Sequence, residues 1–107
     1  PEHIGREMRD LFGMLKKRDY FAGLPPRNFA DAAADFIATL NAIHPFREGN
    51  GRAQTIFLVL LAEYAGHPLD LEKLRPASFL KAMVASFRGD NEPLARTIFR
   101  LTRNGRR

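Results

Sequence analysis

The placement of proline and glycine along the chain is the strongest constraint on its fold. Of the 107 residues, seven are proline and eight are glycine. The prolines and most of the glycines fall between segments in which apolar residues recur at the spacing of one helix face. No segment shows the alternation of apolar and polar residues that is typical of a strand. The sequence therefore predicts an all-α fold.

Five helical segments follow from this pattern. They run over residues 2–17, from about 28 to 43, 52–65, 76–87 and from about 91 to 101, with a short helical turn within 69–74. Asn28 is a candidate N-terminal cap for the second segment, and Asp90 or Asn91 for the last one. The third segment is apolar on nearly every face, which is typical of a helix covered on all sides. We expect a compact helical bundle with this third helix at its centre.

Length and composition exclude several classes of protein. A chain of 107 residues is expected to form a single domain over residues 1–107. Without cysteine there is no disulfide framework, no cysteine-built metal site and no thiol nucleophile. The longest apolar run, residues 56–62, is far shorter than the roughly 20 residues of a membrane-spanning helix. We therefore expect a soluble protein without a membrane partner.

The last residues form a basic stripe. Arg96, Arg100, Arg103 and Arg107 recur at helical spacing with Arg106 beside them, and no acidic residue follows Glu92. The simplest interpretation is a solvated helix whose cations complement its own dipole. Contact with nucleic acid and docking of a partner protein are alternatives, and the net charge of +5 does not choose between them. Nucleic acid is the least favoured partner.

Residues suited to chemistry concentrate at the entrance to the third helix, in the segment H-P-F-R-E-G-N-G-R at positions 44–52. A glycine-containing loop that leads into a helix N-terminus favours anion binding, because unpaired N–H groups and the positive end of the helix dipole face it. Gly49 and Gly51 allow the backbone to approach a phosphate and to form a nest of N–H groups. Arg52 in the first turn opposes the dipole by about 0.3–1 kcal/mol unless an anion lies between them.

The same segment contains a candidate metal ligand and a candidate base. Glu48 lies too close to such an anion unless a divalent cation bridges the carboxylate and the phosphate, which is a common way of holding Mg²⁺. His44 carries an imidazole with an ordinary pKa of about 6.5, suited to accepting a proton near neutrality. The sequence thus predicts a base, a metal ligand and a phosphate cradle in one loop.

Simpler roles remain open for most of these residues. His44 could only end the second helix, Asn50 could only cap the third, and Glu48 could only favour a helix start. Arg52 has no equally simple role. Elsewhere, Phe46 is assigned to the core, and His3 and His67 are interpreted as surface or loop residues.

The segment resembles the Fic family signature, H-P-F-x-(D/E)-G-N-G-R-x-x-R, at nine consecutive positions. The apolar helices on either side and the break at Gly66-His67-Pro68-Leu69 are similar to the all-helical Fic core, especially that of bacterial effectors and toxins. The resemblance covers essentially the whole chain. The family places a β-hairpin flap before the first helix, and we expect that flap to have been lost upstream of Pro1.

The resemblance implies a protein adenylyltransferase, which transfers AMP from ATP to a Ser, Thr or Tyr hydroxyl of a target protein and releases pyrophosphate. By position in the signature, His44 would deprotonate the attacking hydroxyl and Glu48 would hold Mg²⁺. The phosphates would be held by Gly49, Asn50, Gly51 and Arg52. Members of this branch act in the cytoplasm or are delivered into a host or recipient cell.

Two departures from the family pattern, at Thr55 and in the expected loss of the flap, keep alternatives open. The second arginine of the signature is Thr55 here, and a neutral hydroxyl does not replace a bidentate cation. Regulation is a separate point: the inhibitory pattern (S/T)-x-x-x-E-(G/N) does not occur in this sequence, so either a small antitoxin-like partner supplies it or control is absent. The alternatives are a degenerate domain that binds nucleotide or partner without turnover, and transfer of another nucleotide or phosphate-containing group.

Overall fold

The computed structural model describes residues 2–43 and 50–102, and the side chains of residues 5–43 and 52–102. This part of the chain contains the helices α1 (Glu2–Lys17), α2 (Pro26–Ile43), α3 (Asn50–Ala65), α4 (Pro76–Phe87) and α5 (Glu92–Leu101). Two short 3-10 turns, Asp19–Phe21 and Leu71–Lys73, lie between them. Within the same residues the only β-type pairing is one isolated bridge between Leu69 and Thr102. The all-α prediction is confirmed.

Proline and glycine set the helix ends, as the sequence predicted for Pro76, Gly66 and Gly89 but not for Pro26. Pro26 is the first residue of α2 and Pro76 the first residue of α4, where the ring fixes a helical φ and the missing N–H costs nothing. Gly66 follows α3 with φ of +92°, and Gly89 ends the turn after α4 with φ of +100°. Left-handed glycine at these positions stops a helix without a steric penalty.

Of the helix caps predicted from the sequence, the one for α5 is confirmed and the one for α2 is wrong. Asn28 is the third residue of α2 and does not cap it, because Pro26 starts the helix two residues earlier. Asn91 occupies the cap position of α5 but makes no capping hydrogen bond with its side chain. Asp90 accepts the hydrogen bond instead, from the backbone N–H of Glu92 at 3.2 Å.

Helix α2 lies at the centre of the bundle. It packs against α1, α3, α4 and α5 and against the first 3-10 turn. Its small residues Ala30, Ala33 and Ala34 are buried and let neighbouring helices approach closely, while Phe29 and Phe36 fill the space between them. The long helix that precedes the 44–52 segment is therefore held on several sides.

A cluster of three aromatic rings joins α1, α2 and α3. The ring of Phe12 meets Phe36 edge-on at a centroid distance of 5.4 Å and Phe57 at 5.7 Å. Phe36 and Phe57 stack at 5.5 Å. Such pairs contribute about 0.5–1.5 kcal/mol each beyond the area they bury. The cluster fixes the middle of α3, through Phe57, against α1 and α2.

Helix α3 differs from the sequence expectation on one face. Leu58, Leu61 and Ala62 are buried, but Ile56, Leu60 and Tyr64 are 59%, 61% and 59% exposed. These exposed side chains recur every four residues and form a stripe opposite the buried face. Apolar composition on all sides predicted a fully covered helix, whereas the described part of the chain covers one face of it.

His67 lies in the loop after α3, as the sequence predicted, and it also makes contacts that hold this loop in place. Its ring is partly buried, 5.4 Å from the ring of Phe29. The Nε2–H donates to the carbonyl oxygen of Leu24 at 2.6 Å, and since a carbonyl only accepts, Nε2 carries the proton. This contact ties the residues after α3 to the turn before α2.

No helix in the described part of the chain is long and apolar enough to cross a membrane.

Candidate functional site

The candidate site lies where α2 ends and α3 begins. Helix α2 ends at Ile43 and α3 begins at Asn50, so the two helices flank the segment 44–49. The predictions for His44, Glu48 and Gly49, and the assignment of Phe46 to the core, fall on residues outside the described part of the chain. The part of the site that the structure describes is the end of α2 and the start of α3.

The start of α3 has the features of an anion-binding helix end. Asn50 and Gly51 are the first two residues of the helix, so Asn50 is helical and not a cap that precedes it. The first turn contains no acidic residue. The first four N–H groups of a helix have no partner within it, and a helix of 16 residues ends in a partial positive charge of about half a unit. This end attracts a negative group.

Arg52 adds a full charge to the same helix end. Its side chain is exposed, and within the described residues it makes no ion pair and no hydrogen bond. A cation in the first turn costs about 0.3–1 kcal/mol against the helix dipole. Because nothing in the described part of the chain offsets this cost, Arg52 and the helix end together favour an anion placed between them.

Thr55 occupies the next turn of the same helix. It is partly buried and makes contacts of its own. Residues three apart on a helix are neighbours, so a side chain at this position lies beside that of Arg52. The described part of the site therefore has one exposed arginine, and a neutral side chain in the next turn of the helix.

Sequence reasoning missed two buried polar side chains beside the site. Asn41 is 1% exposed and Gln54 is 6% exposed. Oδ1 and Nδ2 of Asn41 and Oε1 of Gln54 have no hydrogen-bond partner among the described residues. An unpaired buried polar group costs about 1–3 kcal/mol. The only sequence signal was that Asn41 falls on the face of α2 that also carries Ile37 and Leu40.

The basic stripe is only partly described. Arg96 and Arg100 lie exposed on α5, whereas Arg103, Arg106 and Arg107 fall outside the described residues. Arg96 and Arg100 line a cleft of about 1070 Å³ between α4 and α5. A smaller cleft of about 490 Å³ lies on the side of α5 that faces α2. No residue of α3 lines either cleft, as far as the structure describes them.

The described residues do not form a metal site on their own. Nowhere in residues 5–43 and 52–102 do three or more His, Asp or Glu side chains come together as a metal would require. The candidate ligand Glu48 lies outside these residues, and its carboxylate together with oxygens of a bound phosphate would hold a divalent cation at the start of α3. That donor set, one carboxylate and phosphate oxygens, is the one that Mg²⁺ prefers.

Comparison with known proteins identifies the family. The model of the Fic/DOC family matches residues 1–62, more than half of the chain. The chain belongs to the Fic/DOC family. It is 52% identical over 102 residues to a relative from Sinorhizobium fredii named "Probable protein adenylyltransferase y4lH", covering 94% of this chain and 53% of that protein. It is 33% identical over 86 residues to the protein adenylyltransferase VbhT of Bartonella schoenbuchensis, covering 80% of this chain and 18% of VbhT.

Solved structures share the fold. The BepC protein of Bartonella tribocorum, a VirB-translocated effector solved with bound AMPPNP, matches with a TM-score of 0.79 and 32% identity. That match covers 92% of this chain and 48% of BepC. The N-terminal Fic domain of a Bep effector from Bartonella quintana, with bound ADP, matches with a TM-score of 0.81 and 31% identity over 92% of this chain and 47% of that one. The chain spans about half the length of these proteins or less.

Proposed function

We propose that this chain is the nucleotide-transfer part of a protein adenylyltransferase. It would transfer AMP from ATP to the hydroxyl of a Ser, Thr or Tyr side chain in a target protein and release pyrophosphate. The observation that carries the proposal is the unbroken nine-residue signature at positions 44–52, which leads into the start of α3. Curated relatives named protein adenylyltransferases support it.

The proposed reaction needs one base and a set of phosphate-binding groups. The imidazole of His44 takes the proton from the target hydroxyl, whose oxygen then attacks the α-phosphorus of ATP. The bond from the α-phosphorus to the oxygen that bridges to the β-phosphorus breaks, and pyrophosphate leaves. Catalysis then consists mainly of positioning the reactants and neutralising charge.

The start of α3 supplies the phosphate-binding groups in this proposal. The backbone N–H groups of Gly49, Asn50 and Gly51 would bind the phosphate oxygens, and the guanidinium of Arg52 would neutralise their charge. Glu48 is the proposed magnesium ligand. When bound, the ion would offset charge on the phosphates as the bridging bond breaks. The AMPPNP and ADP bound to the Bartonella relatives are consistent with an adenine nucleotide as substrate.

Partners and location are proposed on the same basis. The target is a protein with an accessible hydroxyl side chain, and a small antitoxin-like protein is the proposed inhibitor, because the inhibitory pattern does not occur in this sequence. The proposed place of action is the cytoplasm, or a cell that receives the protein, and the similar VirB-translocated effectors support the second of these.

A second candidate function is nucleotide binding without turnover. It is favoured by one observation, that Thr55 stands where the family signature has its second arginine. A single hydroxyl makes a weaker contact with a phosphate than a guanidinium does, and it carries no charge. If this contact decides turnover, the domain would hold ATP and transfer nothing.

A dual-label experiment separates these functions. The full-length protein is incubated with a cell lysate and with ATP labelled at either the α- or the γ-phosphate. Label in protein from α-labelled ATP alone supports AMP transfer, and its loss in His44→Ala, but not in His3→Ala, supports the role of His44. Label from the γ position would indicate a kinase. ATP binding by calorimetry without any label in protein would indicate the binding domain.

A further inference from the structure

The cleft between α4 and α5 gathers positive charge from three separate parts of the chain. Arg96 and Arg100 come from α5, Lys81 from α4, and Lys73 and Arg75 from the residues that lead into α4. These five residues define what is called here the basic cleft. It has a volume of about 1070 Å³, and within the described residues it receives no residue from α2 or α3. It is therefore separate from the start of α3.

The charge of the basic cleft is not balanced locally. All five cations are exposed, and none forms an ion pair within the described part of the chain. The single acidic side chain in its lining is Glu72. Arg96 and Arg100 lie four residues apart on α5, a spacing at which like charges destabilise a helix.

The other side of α5 shows that this imbalance is local. The smaller cleft that faces α2 contains Arg27 and again Arg96, but it also contains the carboxylates of Asp31, Asp35 and Glu92. Cations and anions are therefore mixed on one side of α5 and segregated on the other. A general surplus of arginine in the chain does not produce that difference between two faces of one helix.

The start of α4 strengthens the positive field of the cleft. Arg75 is the residue before α4 and makes no capping hydrogen bond with its side chain, and the first turn contains no acidic residue. The helix has 12 residues, and its N-terminal end adds partial positive charge beside Arg75 and Ser78, which both line the cleft. An anion in the cleft would offset both the dipole and the cations.

The floor of the basic cleft is apolar. Ala82 and Leu101 are buried, and Leu74, Ala85 and Pro93 are partly buried in the lining. An apolar floor inside a basic rim complements a peptide that combines acidic side chains with apolar ones. Single-stranded nucleic acid fits less well, because the lining contains no aromatic ring on which a base could stack.

We propose that the basic cleft binds an acidic segment of a partner protein, with carboxylates paired to the cationic rim and apolar side chains against the floor. This binding site is distinct from the nucleotide site proposed above and does not depend on adenylyl transfer. It gives Arg96 and Arg100 a role as one wall of a docking site, where the sequence alone favoured a solvated helix.

Binding of a defined peptide tests the proposal. The probe is a fluorescent peptide with glutamate and leucine at helical spacing, and fluorescence anisotropy measures its binding to the full-length protein. Three further probes of equal length are used: glutamine in place of glutamate, serine in place of leucine, and a single-stranded oligonucleotide. We expect binding by the glutamate–leucine peptide that weakens with added salt, and weaker binding by all three others.

Charge reversal locates the binding. The double variant Lys81→Glu with Arg100→Glu should weaken binding of the glutamate–leucine peptide by about tenfold or more. The control variant Arg9→Glu with Lys17→Glu makes the same change of charge at exposed positions of α1 and should leave binding within about twofold. Circular dichroism checks that both variants keep their helix content.

Three results would overturn the proposal. One is no binding of the glutamate–leucine peptide to the folded protein. Another is equal weakening in the cleft variant and the α1 variant, which would indicate attraction by the overall charge. The third is tighter binding of the oligonucleotide than of the peptide, which would assign the cleft to nucleic acid.

Discussion

The hydroxyl of Tyr64, near the end of α3, donates a 2.7 Å hydrogen bond to Oδ1 of Asp19, 45 residues earlier in the chain. Asp19, Tyr20 and Phe21 form a left-handed turn, with φ values of 52°, 54° and 65°. A left-handed conformation costs a residue with a side chain about 1–2 kcal/mol. The turn is held by several contacts, since the ring of Tyr20 also meets that of Tyr64 at 5.4 Å and Phe21 is buried.

The hydrogen bond from Tyr64 to Asp19 should be visible in a tyrosine titration. The bond to the carboxylate, and then its negative charge, raise the pKa of Tyr64 above its ordinary value. The chain has two tyrosines, so in the Tyr20→Phe background only Tyr64 titrates. Asp19→Asn in that background should lower the pKa of Tyr64, as measured by the ultraviolet absorbance of tyrosinate.

The sign of the linked effect on stability follows from the raised pKa. A group whose pKa is higher in the folded state stabilises the fold while it is protonated, and this contribution is lost as the pH rises through the folded pKa. The free energy of unfolding should thus decline at alkaline pH by more in the Tyr20→Phe protein than in Tyr20→Phe with Asp19→Asn. Asp31→Asn, at an exposed position of α2, is the control. An unchanged pKa of Tyr64 in the Asp19→Asn variant would contradict the contact.

The aromatic cluster gives a prediction about stability. Phe36 is 1% exposed and touches both Phe12 and Phe57, so Phe36→Ala should lower the free energy of unfolding by about 3–5 kcal/mol. Phe36→Leu keeps most of the volume and should cost clearly less. Phe87→Ala removes a side chain that is 50% exposed and should stay within about 0.5 kcal/mol. Denaturant unfolding measures all three, and equal losses for Phe36→Ala and Phe87→Ala would refute the assignment of the core.

Local structure was predictable from the sequence because proline and glycine act on their own backbone. Pro76 and Gly66 mark helix ends without reference to the rest of the fold. The left-handed turn at Asp19–Phe21 was not predictable, because none of its residues is glycine and the conformation depends on contacts with Tyr64. A proline or glycine in the sequence specifies the backbone conformation at its own position. It does not specify which distant side chain stabilises a turn.

The same limit applies to burial and to the site. The sequence of α3 is apolar on nearly all faces, so it does not distinguish Leu58 from Leu60. In the folded chain Leu58 is buried against other helices and Leu60 is exposed. The position of the signature at a helix start was predictable from Gly49 to Gly51 and from Arg52, and the structure has α3 begin at Asn50. The buried Asn41 beside it was missed, since a polar residue on an apolar face has no pattern of its own.

Substitutions at His67 should distinguish the contribution of its hydrogen bond to stability from that of its ring contact. His67→Phe keeps a ring against Phe29 but leaves the carbonyl of Leu24 without its donor, and it should cost about 1 kcal/mol of stability. His67→Gln restores a donor and should recover part of that loss while it loses the ring contact. Thermal unfolding of the three proteins measures the effect. If His67→Phe is as stable as the parent protein, the hydrogen bond contributes nothing.

Thr55 gives a prediction about nucleotide affinity, which depends on the proposed function. Thr55→Arg places a second guanidinium one turn after Arg52, at a position next to Arg52 on the surface of α3. A hydrogen bond to a charged group contributes about 1.5–3 kcal/mol, so ATP should bind at least about tenfold more tightly by calorimetry.

Ile56→Arg is the matched control for this gain. It adds the same charge at the adjacent position, which is 59% exposed on a different face of α3, and it should change ATP affinity by no more than about twofold. Thermal unfolding checks that Thr55→Arg keeps the fold, because Thr55 makes contacts of its own. An equal gain in both variants would mean that ATP responds to the general positive charge of the helix, and that no phosphate lies within reach of position 55.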